Sequence, residues 1–249
     1  MTTDAPELPP AFNGMLVPPD IAPIGAAAEG VAAGRLSAGD VLWSARDDRA
    51  SAAFVLEPDV PLERAAEMLP VLMVAIGDAL GAIGPPNLAL TFRWPGTILA
   101  NGAVAGEVQA FVWPGRAPEE IPDFLVVAFD IALTESADGS EPGHDLGSTY
   151  LHVEGCGDLD RTMVIEAVAR HFLSWIDGWQ QDGFGAAHAS WTGRAHDRNA
   201  DVTVDFSGRQ VHGKWLGLDE NGGLLVKTAN GGQTLALYET IGENEKADA

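Results

Sequence analysis

The sequence predicts an α+β fold in which helices pack on a mixed or antiparallel sheet and a small β domain follows. Three observations carry this. Residues 161–181 hold Val164, Val168, Phe172, Trp175 and Trp179 at steps of four, four, three and four, which is one helix face. Asn101-Gly102 lies between two strand-like runs, and that pair favours a two-residue hairpin turn with positive φ at both positions. From Asp201 onward, short runs alternate with Gly- and Asn-rich turns.

The remaining elements follow in chain order. Residues 1–20 hold five of the 16 prolines and are expected to form an extended arm. Residues 22–34 are alanine-rich, end at a glycine and predict a helix. Residues 41–44 and 51–56 read as strands joined by the charged turn Arg46-Asp47-Asp48-Arg49. A helix then runs to about Ala82, with Asp59 as its cap, Pro61 in its first turn and Pro70 as a kink or split. Residues 88–93 form a strand entering Trp94-Pro95, and the hairpin pairs 97–100 with 103–112. Residues 124–133 are nearly all apolar and fit a central strand buried on both faces. A polar loop fills 134–149. Asp160 caps the helix 161–181, and a shorter helix spans 184–195. The runs 202–206, 210–218, 224–228 and 234–238 predict a small antiparallel meander or partial barrel. The expected division is an arm at 1–20, a main domain at 21–200, a small β-barrel domain at 201–241 and a tail at 242–249.

Charge and cysteine use exclude several function classes. Lys and Arg number 14 against 36 Asp and Glu, a net charge of −22. Nucleic acids and anionic membranes need basic patches, so neither is an expected partner. The single Cys156 forms no internal disulfide, and Met1 to Pro10 has no basic, apolar leader, so a cytoplasmic protein is expected. The apolar run 68–84 contains Asp78 and reads as a buried helix rather than a membrane span. The lysines are Lys214, Lys227 and Lys246, and residues 1–213 contain none.

The order of strand, Arg93-Trp94-Pro95, Asn-Gly hairpin, Ala105-Gly106 and apolar strand resembles the catalytic domain of biotin and lipoyl protein ligases. That family has a Lys-Trp-Pro-Asn-Asp strand end and a return strand reading Lys-Leu-Ala-Gly-Ile-Leu. Here the pieces read Arg93-Trp94-Pro95-Gly96-Thr97 and Ala103-Val104-Ala105-Gly106-Glu107-Val108. Trp179-Gln180-Gln181-Asp182-Gly183-Phe184 and Gly217-Leu218-Asp219-Glu220-Asn221-Gly222-Gly223 resemble the C-terminal part of the bacterial biotin ligases. The resemblance covers about residues 20–240. It implies a class II aminoacyl-tRNA synthetase and biotin ligase-like fold with an SH3-like C-terminal domain.

It also implies a chemistry. The family joins biotin or lipoate to ATP as an acyl-adenylate and passes the acyl group to a lysine of an acceptor domain. Four departures fall on that machinery. The family's hairpin lysine is Ala103, and its Gly-Arg-Gly-Arg loop is reduced to the segment around Arg46-Asp47-Asp48-Arg49. The Asn and Asp after Trp-Pro are Gly96 and Thr97, and the Gly-Ile-Asn of the central strand is replaced by Phe129-Asp130-Ile131-Ala132.

The expectation is therefore a ligase-like protein without adenylation chemistry that retains a small-carboxylate pocket or an acceptor-docking role. No catalytic residue is assigned. Expected ligand contacts are Arg93, Trp94, Ala105, Gly106 and Trp43, with Arg93 as the cation. ATP and biotin or lipoate enter as ligands only if the family activity persists. A small carboxylate and a biotinyl or lipoyl acceptor domain are the expected partners. The alternatives are an active ligase with a rearranged site and an interaction protein with a filled pocket. Cys156 could serve as a nucleophile at a helix start, but its expected role is that of a spectator, since no lysine is available to partner it. The six histidines show no metal-site spacing.

Overall fold

A computed structural model describes residues 5–135 and 147–242. Most of the polar loop expected at 134–149 and nearly all of the tail lie outside the described residues. The main domain is built on a seven-stranded mixed sheet. Its strands are β1 (Asn13–Val17), β2 (Asp40–Ser44), β3 (Arg49–Leu56), β4 (Leu90–Arg93), β5 (Thr97–Ala100), β6 (Ala103–Phe111) and β7 (Leu125–Ala132). They lie in the order β1-β2-β3-β7-β6-β5-β4. Only β1 and β2 pair in parallel; the other neighbours are antiparallel.

The apolar strand β7 lies at the centre, as its lack of alternation requires. The hairpin closes at Asn101 and Gly102, whose φ values of 49° and 93° suit a tight turn between right-twisting strands.

Helices cover the two faces unequally. On one face lie α2 (Leu62–Ala65), α3 (Met68–Ile83), α4 (Arg161–Asp182) and α5 (Gly185–Gly193). Phe54, Phe129 and Phe172 meet there, with ring centroids 5.0 Å apart for Phe54–Phe172 and 6.4 Å for Phe54–Phe129. Asp160 caps α4 by accepting from the Met163 amide at 2.8 Å. Residues Leu62–Ile83 are long and apolar enough to cross a membrane, but most of that stretch is buried as core against α4 and α5. On the other face, α1 (Pro23–Ala32) covers a smaller cluster that includes Leu42, Ala53, Val55, Phe124 and Val126.

The small domain is a four-stranded antiparallel sheet of β8 (Asp201–Phe206), β9 (Arg209–Leu218), β10 (Leu224–Thr228) and β11 (Gly231–Leu235). No helix crosses residues 210–228.

Three expectations need correction. The arm is not merely extended, because Asn13–Val17 joins the sheet edge as β1. Asp59 caps nothing. The first free amides of α2, at Leu62 and Glu63, donate to the carbonyls of Glu120 and Pro118 in a distant loop. The split expected from Pro70 is present and lies upstream of the proline. Its ring disfavours a helical carbonyl four residues back, and the break between α2 and α3 falls at Ala66-Glu67. The last strand covers Gly231–Leu235 instead of 234–238, where a 3₁₀ turn, Leu237–Thr240, takes over.

Candidate functional site

The register of β3, β7, β6 and β5 decides which side chains share a face. Ser51 lies opposite Asp130, Asp130 opposite Glu107, and Glu107 opposite Thr97. Side chains alternate along a strand, so Ser51, Ala53 and Val55 turn to the α1 face while Ala50, Ala52 and Phe54 turn to the α3–α4 core. The row Ser51–Asp130–Glu107 thus belongs to the α1 face, and the next row adds Gln109. The first turn of α1 stands over these rows. Pro23 begins the helix there, and a cavity of about 410 Å³ opens between it and the sheet.

The polar groups of this cleft are strand side chains held by the sheet. Arg49, two residues before Ser51, forms an ion pair with Asp130. Gln109 donates to Glu107 at 2.8 Å. Glu107 keeps a solvent-exposed side, yet burial against the cleft walls pushes its carboxyl above the ordinary 4.5. The facing Asp130 carboxylate pushes it further the same way, and Arg49 opposes both. Ser51 is only 5% exposed, lines the cleft and makes no side-chain hydrogen bond among the described residues.

The five residues expected from sequence do not converge on one space. Arg93 and Trp94 border a cavity of about 460 Å³ between the main and small domains. Arg93 donates from Nε to Asp197 at 3.1 Å, and Asp201 and Asp205 line the same cavity. Trp94 is 6% exposed, donates its indole N–H to the Gly222 carbonyl at 3.0 Å and packs on Phe206. Trp43 is buried in the α3–α4 core and lines a separate hollow beside the N-terminal segment. The Arg161 guanidinium lies 5.8 Å from its ring. Ala105 is core. Gly106 permits close approach of β6 to β7, because a Cβ there would strike the Asp130 carbonyl and the Ile131 backbone. Trp43 turns to the face away from α1, and a register shift between β5 and β6 at Ile98/Leu99 puts Ala105 on that face as well, although Glu107 two residues on faces α1.

Sequence reasoning did not assign Ser51, Glu107, Gln109 and Asp130 to a site. One signal was visible: Glu107 and Asp130 are carboxylates within otherwise apolar strands. Their meeting depends on register across three strands, which spacing along the chain does not reveal.

The arginines of the β2–β3 turn, of the start of β3 and of the start of α4 are committed to acids of the chain itself. Arg46 holds Asp48 at 2.5 Å, Arg161 holds Asp47, and Arg49 holds Asp130. Cys156 is buried, which raises its thiol pKa, with Glu154 adding to the effect, so its environment disfavours a reactive thiolate. Among the described residues, no three His, Cys, Asp or Glu side chains gather as metal ligands.

Comparison with known proteins places this architecture. Residues 8–193 match the biotin/lipoate A/B protein ligase family, and residues 200–241 match the biotin protein ligase C-terminal domain. A biotin protein ligase-like protein of unknown function from Silicibacter sp. TM1040 is 33% identical, with a TM-score of 0.86 over 95% of this chain and 99% of that one. The apo biotin protein ligase of Aquifex aeolicus has the same fold, with a TM-score of 0.74 at 19% identity over 92% of this chain and 97% of its own. A biotin–[acetyl-CoA-carboxylase] ligase of Paracoccus denitrificans is 25% identical over 190 residues, 75% of this chain and 77% of that protein. The chain belongs to the biotin/lipoate A/B protein ligase family.

Proposed function

We propose that this chain uses the ligase scaffold to bind a small molecule and does not form acyl-adenylates. The observation that carries the reading is the neutralisation of its cations. Adenylation brings a carboxylate against an α-phosphate, so positive groups and backbone donors must stabilise the transition state. Here Arg46, Arg49 and Arg161 each hold a carboxylate of the chain, and position 103 is an alanine. An incoming carboxylate or triphosphate would have to displace Asp48, Asp130 or Asp47, in a chain of net charge −22.

The interdomain cavity at Arg93 is the other place for a small acid. Asp197 already occupies Arg93, and Asp201 and Asp205 oppose a second anion. The cleft under α1 therefore supports the binding reading best. Docking of a biotinyl or lipoyl acceptor domain remains compatible with it, since the Paracoccus relative is named for its acetyl-CoA carboxylase substrate.

The test is pyrophosphate release from Mg-ATP in the presence of biotin or of lipoate. The expected result is no acid-dependent release above background. Losing one preorganised charge contact at a transition state costs about 10²–10³ in rate. Acid-dependent release at rates typical of enzymes, on the order of 1 s⁻¹ or faster, would restore the active-ligase reading.

A further inference from the structure

We propose that the cleft beneath α1 binds a small organic cation, an amine with an apolar body, through Glu107, Asp130 and Ser51. The inference rests on the reading that the chain binds a small molecule in this cleft without forming acyl-adenylates, and it names the ligand class. Three independent features point the same way. The first is charge: two carboxylates face each other across β6 and β7, and one guanidinium, that of Arg49, pairs with Asp130. That leaves one uncompensated negative charge in the cleft. Glu107 carries that charge beside Asp130, with one donor supplied by Gln109.

The second feature is an unmet acceptor and donor. Ser51 is 5% exposed, lines the cavity and makes no side-chain hydrogen bond among the described residues. Its hydroxyl lines the open space of the cavity and can both donate to and accept from a ligand there. An ammonium group supplies three donors. Ser51 and Glu107 flank Asp130, each about one strand spacing away, so an ammonium set on Asp130 has a further acceptor on either side.

The third feature is shape. The wall opposite the polar row is apolar, formed by Pro23 and Ile24 at the start of α1, and the cavity holds about 410 Å³. That volume lies within the range of small-molecule sites. An amine carrying a ring or a short hydrocarbon would set its charge on the row and its body against α1.

Phenethylamine and phenylacetate test the proposal, because they share a phenyl body and differ in charge. Calorimetry on the whole chain should show phenethylamine binding at least about ten-fold tighter than phenylacetate. Backbone amide shifts should place it at residues 51, 107 and 130. Glu107→Gln should weaken the amine roughly three- to ten-fold, and Ser51→Ala about three-fold. Glu107→Gln keeps side-chain shape, and Ser51→Ala removes only the hydroxyl. Removing both charges with Glu107→Gln and Asp130→Asn leaves Arg49 unpaired and should reverse the preference in favour of phenylacetate. Asp205→Asn, in the interdomain cavity, should leave the affinity unchanged. Equal or tighter binding of phenylacetate to the natural protein overturns the proposal. So does an absence of amine binding, a Glu107→Gln variant with undiminished affinity, or amine shifts centred on Asp197, Asp201 and Asp205. Pyrophosphate release is a separate measurement. An active ligase overturns the non-adenylating reading through that assay, whereas a missing amine site overturns only this one.

Discussion

The indole of Trp94 donates to the carbonyl of Gly222 at 3.0 Å, joining the end of β4 to the turn between β9 and β10. One side chain thus links the main sheet to the small domain. Its ring also packs on Phe206, with centroids 6.1 Å apart. Trp94, expected from the sequence as a ligand contact, borders the interdomain cavity and also pins the two domains together.

The substitution Trp94→Phe keeps an aromatic face and loses the hydrogen bond. It should cost roughly 0.5–1.5 kcal/mol. Trp94→Ala also empties a buried site and should cost about 3–5 kcal/mol. The larger loss should appear with faster proteolysis near residue 200, because the small domain loses its anchor. Denaturant melts with limited proteolysis check both points. Equal stabilities for the Phe and Ala variants would contradict the assignment.

Glu67 predicts a pH effect of definite sign. Its carboxylate is buried between α2 and α3, accepts from the Trp179 indole at 2.5 Å and lies 3.6 Å from Arg64. Burial raises its pKa above the ordinary 4.5, and the Trp179 and Arg64 contacts pull the other way without cancelling it. The folded state therefore holds this proton more tightly than the unfolded chain. The stability it contributes is full below about 4.5 and is lost as pH rises through the folded-state value. Glu67→Gln keeps an acceptor for Trp179 and removes the titration. Its melting temperature relative to the natural protein should rise between about pH 4 and pH 8. A difference that stays flat or falls over this range would refute the sign.

Local signals in the sequence were the reliable ones. Asn101-Gly102 set a hairpin and Asp160 set a helix start, because each acts within three or four residues. The periodicity of Val164, Val168 and Phe172 placed all three in the core. What was not legible depends on partners far along the chain. Asn13–Val17 has no alternating pattern and becomes a strand only because Asp40–Ser44 lies beside it. The start of α2 is satisfied from residues 118–120, so no local cap was needed. The cleft is the extreme case. Ser51, Glu107 and Asp130 come from three strands, and a shift of one residue in either pairing would send one of them to the opposite face.

That dependence on register makes Gly106 a sensitive position. A Cβ at Gly106 would run into the Asp130 carbonyl oxygen and the Ile131 Cα, both backbone atoms of the central strand. Neither can rotate away as a side-chain tip could, so Gly106→Ala must push β6 from β7 or distort both. Overpacking of this kind costs typically about 1–3 kcal/mol, and a backbone obstacle belongs at the upper end. The damage should extend to the cleft, because Glu107 follows Gly106 directly and faces Asp130 across the same pair. Gly178→Ala supplies the contrast. Gly178 lies inside α4 with no atom within 4 Å of an added Cβ, so alanine should stabilise by about 0.4–1 kcal/mol through the unfolded chain. Thermal melts of the two variants should move in opposite directions, with phenethylamine affinity reduced only in Gly106→Ala. If Gly106→Ala melts like the natural protein, β6 and β7 have room to spare, and the close approach assigned to this glycine is wrong.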